Sequence, residues 1–427
     1  MADKQVLIIG GGVAGLAAGV ELTQLGADVD IVEQDDFLGG HGIQLSCKAT
    51  DSCVKCGACM VEEKLRRVTE NPKIRLFCGS RVEKAERSAG FQITLIRKAQ
   101  YIDADRCTAC GMCYEQCPEG AIGRGYAASA LPFFAIDERT CLYVRDQSCS
   151  QCQEVCSEQA ISLDRRPESV SCQSDAIVLA TGFAPYRPVD KPYGYGRFKN
   201  VVTSMEMERI LRKEGAAVTP FNGKPAEKLA FIQCVGSRDA KLNHLWCSRI
   251  CCGTSLRMAR MLKARKPALE ITFFYIDVQT FGKDFERFYE AAQQEIRLVR
   301  AIPGDIYQDL DGRLQVTYLD NARGEDVRQA FDLVVLSVGL TPCDGTQSAA
   351  GLLGLQTADW EHPRDGSRHI DGVFTAGTVS GPMGIAESIA DAERAAWEVA
   401  GYLKLVTAAG RGTEYENGPP ALPSVTL

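Results

Sequence analysis

The run from Gln5 to Glu33, QVLIIGGGVAGLAAGVELTQLGADVDIVE, constrains the fold more than any other stretch of the chain. A short apolar strand meets Gly10-x-Gly12-x-x-Gly15, a helix of small residues follows, and a second strand ends on Glu33. Each glycine answers a physical demand: a tight turn at Gly10, backbone access for a pyrophosphate at Gly12, and close helix–strand packing at Gly15. Glu33 stands where a carboxylate binds the hydroxyls of an adenosine ribose. A lone GxGxxG is a weak signal. Strand, glycines, helix and acidic end together predict a dinucleotide-binding βαβ unit.

Leu38-Gly39-Gly40 matches the loop that flavoproteins place after this acidic residue, which favours FAD over NAD at this end of the chain. The strand in Asp175–Tyr186, DAIVLATGFAPY, ends on Thr181-Gly182, the turn by which two-dinucleotide flavoproteins leave the FAD domain. Pro185, Pro188 and Pro192 mark a linker. A second α/β domain follows and closes with FDLVVLSVGLTP. The run from His369 then carries a strand into Ala376-Gly377-Thr378 and a helix with Ala386, matching the closing flavin motif, whose helix N-terminus approaches the ribityl chain. Thr378 stands where that motif usually has Asp.

Nineteen cysteines in a chain of this length point to metal rather than to disulfides. Asp105-Arg106-Cys107-x-x-Cys110-x-x-Cys113-x-x-x-Cys117-Pro118 follows the bacterial ferredoxin run, whose fourth Cys serves the other cluster of a pair. The partner run is Cys141, then Cys149-x-x-Cys152-x-x-x-Cys156, with a first gap of seven residues and Ser157 in place of the usual Pro. Cys107, Cys110, Cys113 and Cys156 are expected to bind one [4Fe–4S] cluster; Cys141, Cys149, Cys152 and Cys117 the other. A zinc ribbon is the alternative. Upstream, Cys53-x-x-Cys56-x-x-Cys59 has ferredoxin-like spacing without the CP ending, and Cys47 or Cys78 could supply a fourth ligand. A redox dithiol at Cys53 and Cys56, or unligated thiols, are the competing readings.

The stretch FIQCVGSRDAKLNHLWCSRICC, Phe231 to Cys252, begins as a buried strand where a second dinucleotide loop would start. One glycine remains, Gly236, and Cys234 has taken the turn. With Cys247, Cys251 and Cys252 it makes four thiols after one strand. Such a set fits a third iron–sulfur cluster better than a nucleotide, although buried free thiols are the bland alternative.

Net charge is −7, which argues against a nucleic-acid partner, and no apolar run is long enough for a membrane span. Met1-Ala2-Asp3-Lys4 leads straight into a strand, so no signal peptide is expected, and the cysteine usage predicts a reducing, cytoplasmic setting. The predicted fold is α/β: a thioredoxin-reductase-like, two-dinucleotide-domain flavoprotein with an inserted two-cluster ferredoxin domain. Its expected parts are 1–98, 169–195 and 346–405 for the FAD domain, 99–168 for the insertion, 196–345 for the NAD-domain-like unit, and 406–427 for a loosely ordered tail.

Together these residues resemble the A subunit of heterodisulfide reductases and its relatives in quinone-interacting and sulfur-oxidation complexes. The most specific part of the resemblance is Cys234, Cys247, Cys251 and Cys252, which in that family hold an unusual cluster next to FAD. The resemblance implies FAD, three [4Fe–4S] clusters or four if the Cys53 run takes one, and a homodimer within a larger complex. It also implies B/C-type or quinone-interacting partner subunits, through which the chain could meet a membrane. Family members generally show a cysteine pair matching Cys53 and Cys56; Cys59 is a departure. Members that bifurcate electrons carry a lysine near the flavin where this chain has Arg257, which keeps the charge with planar geometry and a fixed proton.

Two other readings remain at this point: a self-contained NAD(P)H-dependent flavin/iron–sulfur oxidoreductase, like the small subunit of glutamate synthase, and an FAD-linked dithiol–disulfide reductase. The first is tested directly. Gln233-Cys234-Val235 would crowd a nicotinamide pyrophosphate, and a cluster there would add negative charge beside a negative ligand. Anaerobic stopped-flow mixing with NADH or NADPH is therefore expected to leave the flavin oxidised. Saturable bleaching within seconds would promote the glutamate-synthase-like reading.

Overall fold

The computed structural model describes residues 4–125, 133–214, 225–279, 282, 284–321, 323–355 and 370–405. The predicted tail, 406–427, lies outside these residues. Two five-stranded parallel sheets organise them. In the first the order is Val373–Thr375, Ala176–Leu179, Gln5–Ile9, Asp28–Val32, Ile74–Phe77. The central strand is apolar on both faces because helices cover one side and an antiparallel layer the other, as parallel sheets require. The Val13–Gln24 helix, rich in Ala and Gly, packs closely on this sheet and against the long Ile385–Leu403 helix.

The second sheet has the order Val201–Thr203, Leu333–Val338, Lys228–Val235, Glu270–Phe274, Arg297–Val299. Leu229, Ala230, Phe231 and Ile232 are all buried, and the Cys251–Arg265 helix packs beside them. Each sheet carries its own three-stranded antiparallel layer, and a short pair, Ala184–Pro185 with Leu340–Thr341, joins the two units. The fold is thus the two-dinucleotide-domain flavoprotein arrangement.

One antiparallel layer shows how the extra module is accommodated. Phe91–Arg97 pairs with Glu168–Ser174 from Phe91↔Ser174 to Arg97↔Glu168. The chain leaves the layer at one strand end and re-enters directly opposite. Residues 98–167 therefore form an excursion from a hairpin, which leaves the sheet's register intact.

The two units are fastened by a buried ion pair. Lys48 Nζ lies 2.7 Å from Glu208 Oε1, and the two side chains are 1% and 0% exposed. The Ser46 amide and hydroxyl also donate to Glu208 Oε2, at 3.0 and 2.9 Å, and Lys48 Nζ donates to the Ser46 carbonyl at 2.9 Å. Removing one partner leaves the other charged, dry and unpaired, which costs far more than the pair itself contributes. Lys48→Met is expected to destabilise the chain by about 3–5 kcal/mol. Lys48→Met/Glu208→Leu should recover most of that loss, as followed by urea unfolding with tryptophan fluorescence.

Candidate functional site

The glycine turn at the head of the first sheet meets three separate demands. Gly10 has φ +112°, and a Cβ there would meet the Ala180 carbonyl oxygen at 2.3 Å. A Cβ on Gly15 would lie 1.9 Å from the Gly10 carbonyl oxygen. Gly12 differs: nothing lies within 4 Å of where its Cβ would be, and it precedes the Val13–Gln24 helix with no side-chain cap. Packing enforces the first and third glycines. The second leaves the helix N-terminus open, which is what a pyrophosphate needs. Gly39 donates its N–H to the Gly11 carbonyl at 2.8 Å, and Gly40 lies against Gly12, so the Leu38-Gly39-Gly40 loop roofs the same turn.

Glu33 ends its strand as expected, with its carboxylate turned toward this turn. Oε2 accepts from the Gly11 amide and Oε1 from the Asp35 amide, both at 2.8 Å. Burial pushes its carboxyl up to about 6, against the pull of these amides. Thr181 shares a short hydroxyl contact with Thr346, and the space beside Gly182 is open. At the closing motif a Cβ on Gly377 would meet Ala14 Cβ at 2.6 Å, so this turn packs directly on the helix of the glycine loop. The Gly377 amide donates to Asp391 Oδ2 at 2.8 Å, and Thr378 is buried. Ala386 is exposed in the first turn of the Ile385–Leu403 helix, free to face a ligand.

In the inserted module the two cysteine runs fold as a repeat. Cys107 and Cys141 each donate an amide, at 3.0 Å, to the carbonyl four residues before, of Asp103 and Asp137. The Ala121 and Ala160 amides donate to Cys117 Sγ and Cys156 Sγ, at 3.2 and 3.3 Å. Asp137 and Asp103 donate in turn to the Ala121 and Ala160 carbonyls, both at 2.8 Å. Two cavities result. One, of about 350 Å³ counting its open side, is lined by Cys117, Cys141, Cys149 and Cys152. The other, of about 370 Å³ counted the same way, is lined by Cys107, Cys110, Cys113 and Cys156. Among the described residues no three His, Cys, Asp or Glu side chains form a group that could hold a single metal ion. The thiols face cavities instead, which suits a cluster better than zinc. Burial, with neighbouring thiols adding to it, pushes Cys113 and Cys152 up to about 11. Such thiols ionise readily only beside added positive charge, which iron supplies.

The second sheet ends in the four-cysteine loop. Cys234, Arg238, Asn243 and Arg249 take left-handed φ values of 59°, 54°, 57° and 62°. These turns fold the loop back over the strand ends, and Cys251 and Cys252 are the first two residues of the Cys251–Arg265 helix. Burial, then the charges of Cys252 and Cys247, push Cys234 up to about 12. Cys251 is raised by burial and then by Cys252, Cys234 and Cys247. All four thiols thus interact electrostatically.

The same loop fills the ground a nicotinamide dinucleotide would need. A Cβ on Gly236 would strike the Tyr186 ring at 2.1 Å. Trp246 Nε1 donates to the Leu340 carbonyl at 3.0 Å, and the Leu340 amide to Ser248 Oγ at 2.9 Å. Arg238, the cation beside this turn that could draw a phosphate, is held by Asp277 through two bonds of 2.6 and 3.0 Å.

Three residues that sequence reasoning passed over, Arg249, Glu387 and Asp391, tie this loop to the flavin motif or support that motif. Arg249 donates to Glu387 Oε1 at 2.6 Å and to the Pro382 carbonyl at 3.5 Å. Asp391 holds Gly377. The partners of Arg249 lie far along the chain from it, and no spacing signals such a pair. Arg257 donates to the Val54 carbonyl at 2.8 Å and lies over the Phe285 and Phe288 rings, each 5.4 Å away. Burial lowers its pKa, and Cys56 and Cys53 oppose that. Cys53 and Cys59 are exposed, Cys56 half-buried, and Cys78 buried in the core of the first unit with its thiol pushed up to about 12 by burial.

Comparisons with known proteins agree with this geometry. A 4Fe-4S binding domain model matches residues 101–123, and an NAD(P)-binding Rossmann-like domain model matches residues 8–50. Thioredoxin reductases of Lactococcus lactis and T. acidophilum share the fold, with TM-scores of 0.51 and 0.50 at 16% and 14% identity. They cover 95% and 94% of this chain, which covers 100% and 99% of theirs. The A subunit of the H(2):CoB-CoM heterodisulfide,ferredoxin reductase of Methanothermobacter thermautotrophicus is 34% identical over 422 residues. The iron-sulfur A subunit of the CoB--CoM heterodisulfide reductase of Methanocaldococcus jannaschii is 34% identical over 423. Each alignment covers 92% of this chain but 63% of the relative, so the chain spans less than two thirds of those proteins. Over that span, with the glycine turn, the inserted cysteine repeat and the four-thiol loop all in place, the chain is similar to heterodisulfide reductase A subunits.

Proposed function

We propose that this chain is the FAD and iron–sulfur electron-transfer subunit of a heterodisulfide-reductase-like oxidoreductase complex. The observation that carries the reading is the joint between the four-thiol loop and the flavin motif. Arg249, inside the loop, grips Glu387 and Pro382 at the N-terminus of the helix that would meet the flavin. A redox loop pinned to that helix suits exchange between flavin and cluster.

Gly10, Gly12, Gly15, Glu33, Gly39 and Gly40 would hold the adenosine and pyrophosphate part of FAD; Thr181, Gly182, Gly377, Thr378 and Ala386 would line its flavin end. Cys107, Cys110, Cys113 and Cys156 would bind one [4Fe–4S] cluster, Cys117, Cys141, Cys149 and Cys152 a second, and Cys234, Cys247, Cys251 and Cys252 a third. Bound FAD exchanges electrons in pairs and the clusters carry them singly. The protein's part is to space the groups, exclude water and set local charge. Arg238 lies beside the four-thiol loop, where its charge opposes the upward shift of the Cys234 thiol. Arg257 would keep a fixed positive charge beside the Cys53 loop.

The exposed Trp397 and Tyr402 on the Ile385–Leu403 helix are compatible with an interface, whether in a homodimer or with B/C-type or quinone-interacting subunits. No helix among the described residues is long and apolar enough to cross a membrane. The parts of the chain proposed here remain 1–98, 169–195 and 346–405 for FAD, 99–168 for two clusters, and 196–345 for the third.

Cys251→Ser tests the reading. Anaerobically reconstituted wild type is expected to hold at least about twelve irons per chain, and the variant about four fewer, with FAD content unchanged. The EPR spectrum of the reduced variant should lose one component. Equal iron and an unchanged spectrum would remove Cys251 from the ligand set and with it the third cluster.

A further inference from the structure

The Cys53–Cys59 loop repeats the backbone of the ferredoxin loop at Cys107–Cys113. The residue before the second cysteine is left-handed in both: Lys55 with φ 53° and Ala109 with φ 56°. The glycine after it is left-handed in both: Gly57 at φ 82°, ψ −4° and Gly111 at φ 87°, ψ −7°. A helix starts at the next residue, Ala58 or Met112, and places the third cysteine in its first turn. The Lys55 amide donates to Cys53 Sγ at 3.4 Å, the kind of N–H···S bond found at Cys117 and Cys156. A redox dithiol sets its reactive thiol at a helix N-terminus, which lowers the thiol's pKa. Here Cys53 and Cys56 both precede the helix, and only Cys59 enters it.

The loop also lies between the two redox elements. Arg257, five residues beyond Cys252 on the same helix and so roughly 8 Å along it, bonds the Val54 carbonyl at 2.8 Å. On the other side, a Cβ on Gly57 would touch Ile385, first residue of the flavin helix, at 3.1 Å. Lys55 pairs with Asp284 at 2.7 Å and pins the outer edge. Cys53 and Cys59 face outward.

We propose that Cys53, Cys56 and Cys59 form a fourth iron–sulfur site, a solvent-facing [4Fe–4S] port held by three thiolates between the flavin helix and the helix of the four-thiol loop. Its role as a port rests on the function proposed above; its binding of iron does not. Two left-handed positions and a helix start at matching offsets shape three thiols for one cluster in the inserted module, and the same shape serves the same purpose here. The exposure of two of the three thiols makes this the site through which a docked partner exchanges single electrons with the interior.

The test compares wild type, Cys59→Ser, Cys251→Ser and the double variant after anaerobic reconstitution with iron and sulfide. Cys59→Ser is expected to carry about four irons fewer than wild type, and the double variant about eight fewer, with FAD unchanged throughout. Cys53 and Cys59 should resist iodoacetamide in the iron-loaded chain and react once iron is chelated. Equal iron in wild type and Cys59→Ser, or a Cys53–Cys56 disulfide in the loaded protein by mass spectrometry, would overturn the port and leave the three-cluster reading standing. Loss of iron in Cys59→Ser but not in Cys251→Ser would do the reverse.

Discussion

The backbone between Phe231 and Cys252 must turn four thiols to one place, and much of the second unit serves that demand. Cys234, Arg238, Asn243 and Arg249 all occupy the left-handed region, which side chains with a Cβ avoid. Such residues cost on the order of 1 kcal/mol or more each and persist only when surrounding contacts over-determine them. Those contacts are visible: Trp246 and Ser248 bind Leu340, His244 Nδ1 donates to the Gly236 carbonyl, Arg238 is clamped by Asp277, and Arg249 by Glu387. The loop is held from the strand behind it, the strand beside it and the flavin unit across from it. A strained loop with so many fixed points is what a preorganised ligand set requires.

That loop also shows how a dinucleotide-type strand end can be closed by its own side chains. In open parallel sheets dinucleotides bind beyond the carboxyl ends of the strands. Tyr186 covers Gly236, Asp277 neutralises Arg238, and Ser237 and Ser248 close on Gly339. The groups that would receive a pyrophosphate are spent on the loop itself. The first unit keeps the opposite arrangement, with Gly12 open and the helix behind it uncapped. Two five-stranded parallel sheets thus differ in whether their first loop leaves its helix N-terminus free.

The fastening between the units is equally consequential. Lys48 and Glu208 are dry, bonded to each other and to Ser46, and sit where the segment leading to Cys53 meets the second unit. A buried pair of this kind contributes little net stability but penalises any displacement that would separate its charges. It therefore holds the segment leading to Cys53 against the Ser204–Glu214 helix of the second unit.

Much of this was legible from residues alone, because the relevant signals are local. Gly10, Gly12 and Gly15 meet different steric demands within one turn, and the spacing of Cys107, Cys110, Cys113 and Cys117 is set by a loop of a few residues. Pairing of Cys156 with the first run followed from the repeat. What sequence left open depended on contacts across long separations. Spacing could not distinguish cluster, dithiol or idle thiols at Cys53, Cys56 and Cys59; only the fold shows the left-handed turns at Lys55 and Gly57 that match those at Ala109 and Gly111. Nothing in the chain announced that Arg249 would meet Glu387, or Lys48 Glu208, since charged residues are frequent and each has many candidate partners. Only packing chooses among them: at Lys48 and Glu208 a charge without a partner could not stay buried, and at Arg249 and Glu387 the fold brings together two partly exposed groups that lie far apart in the chain.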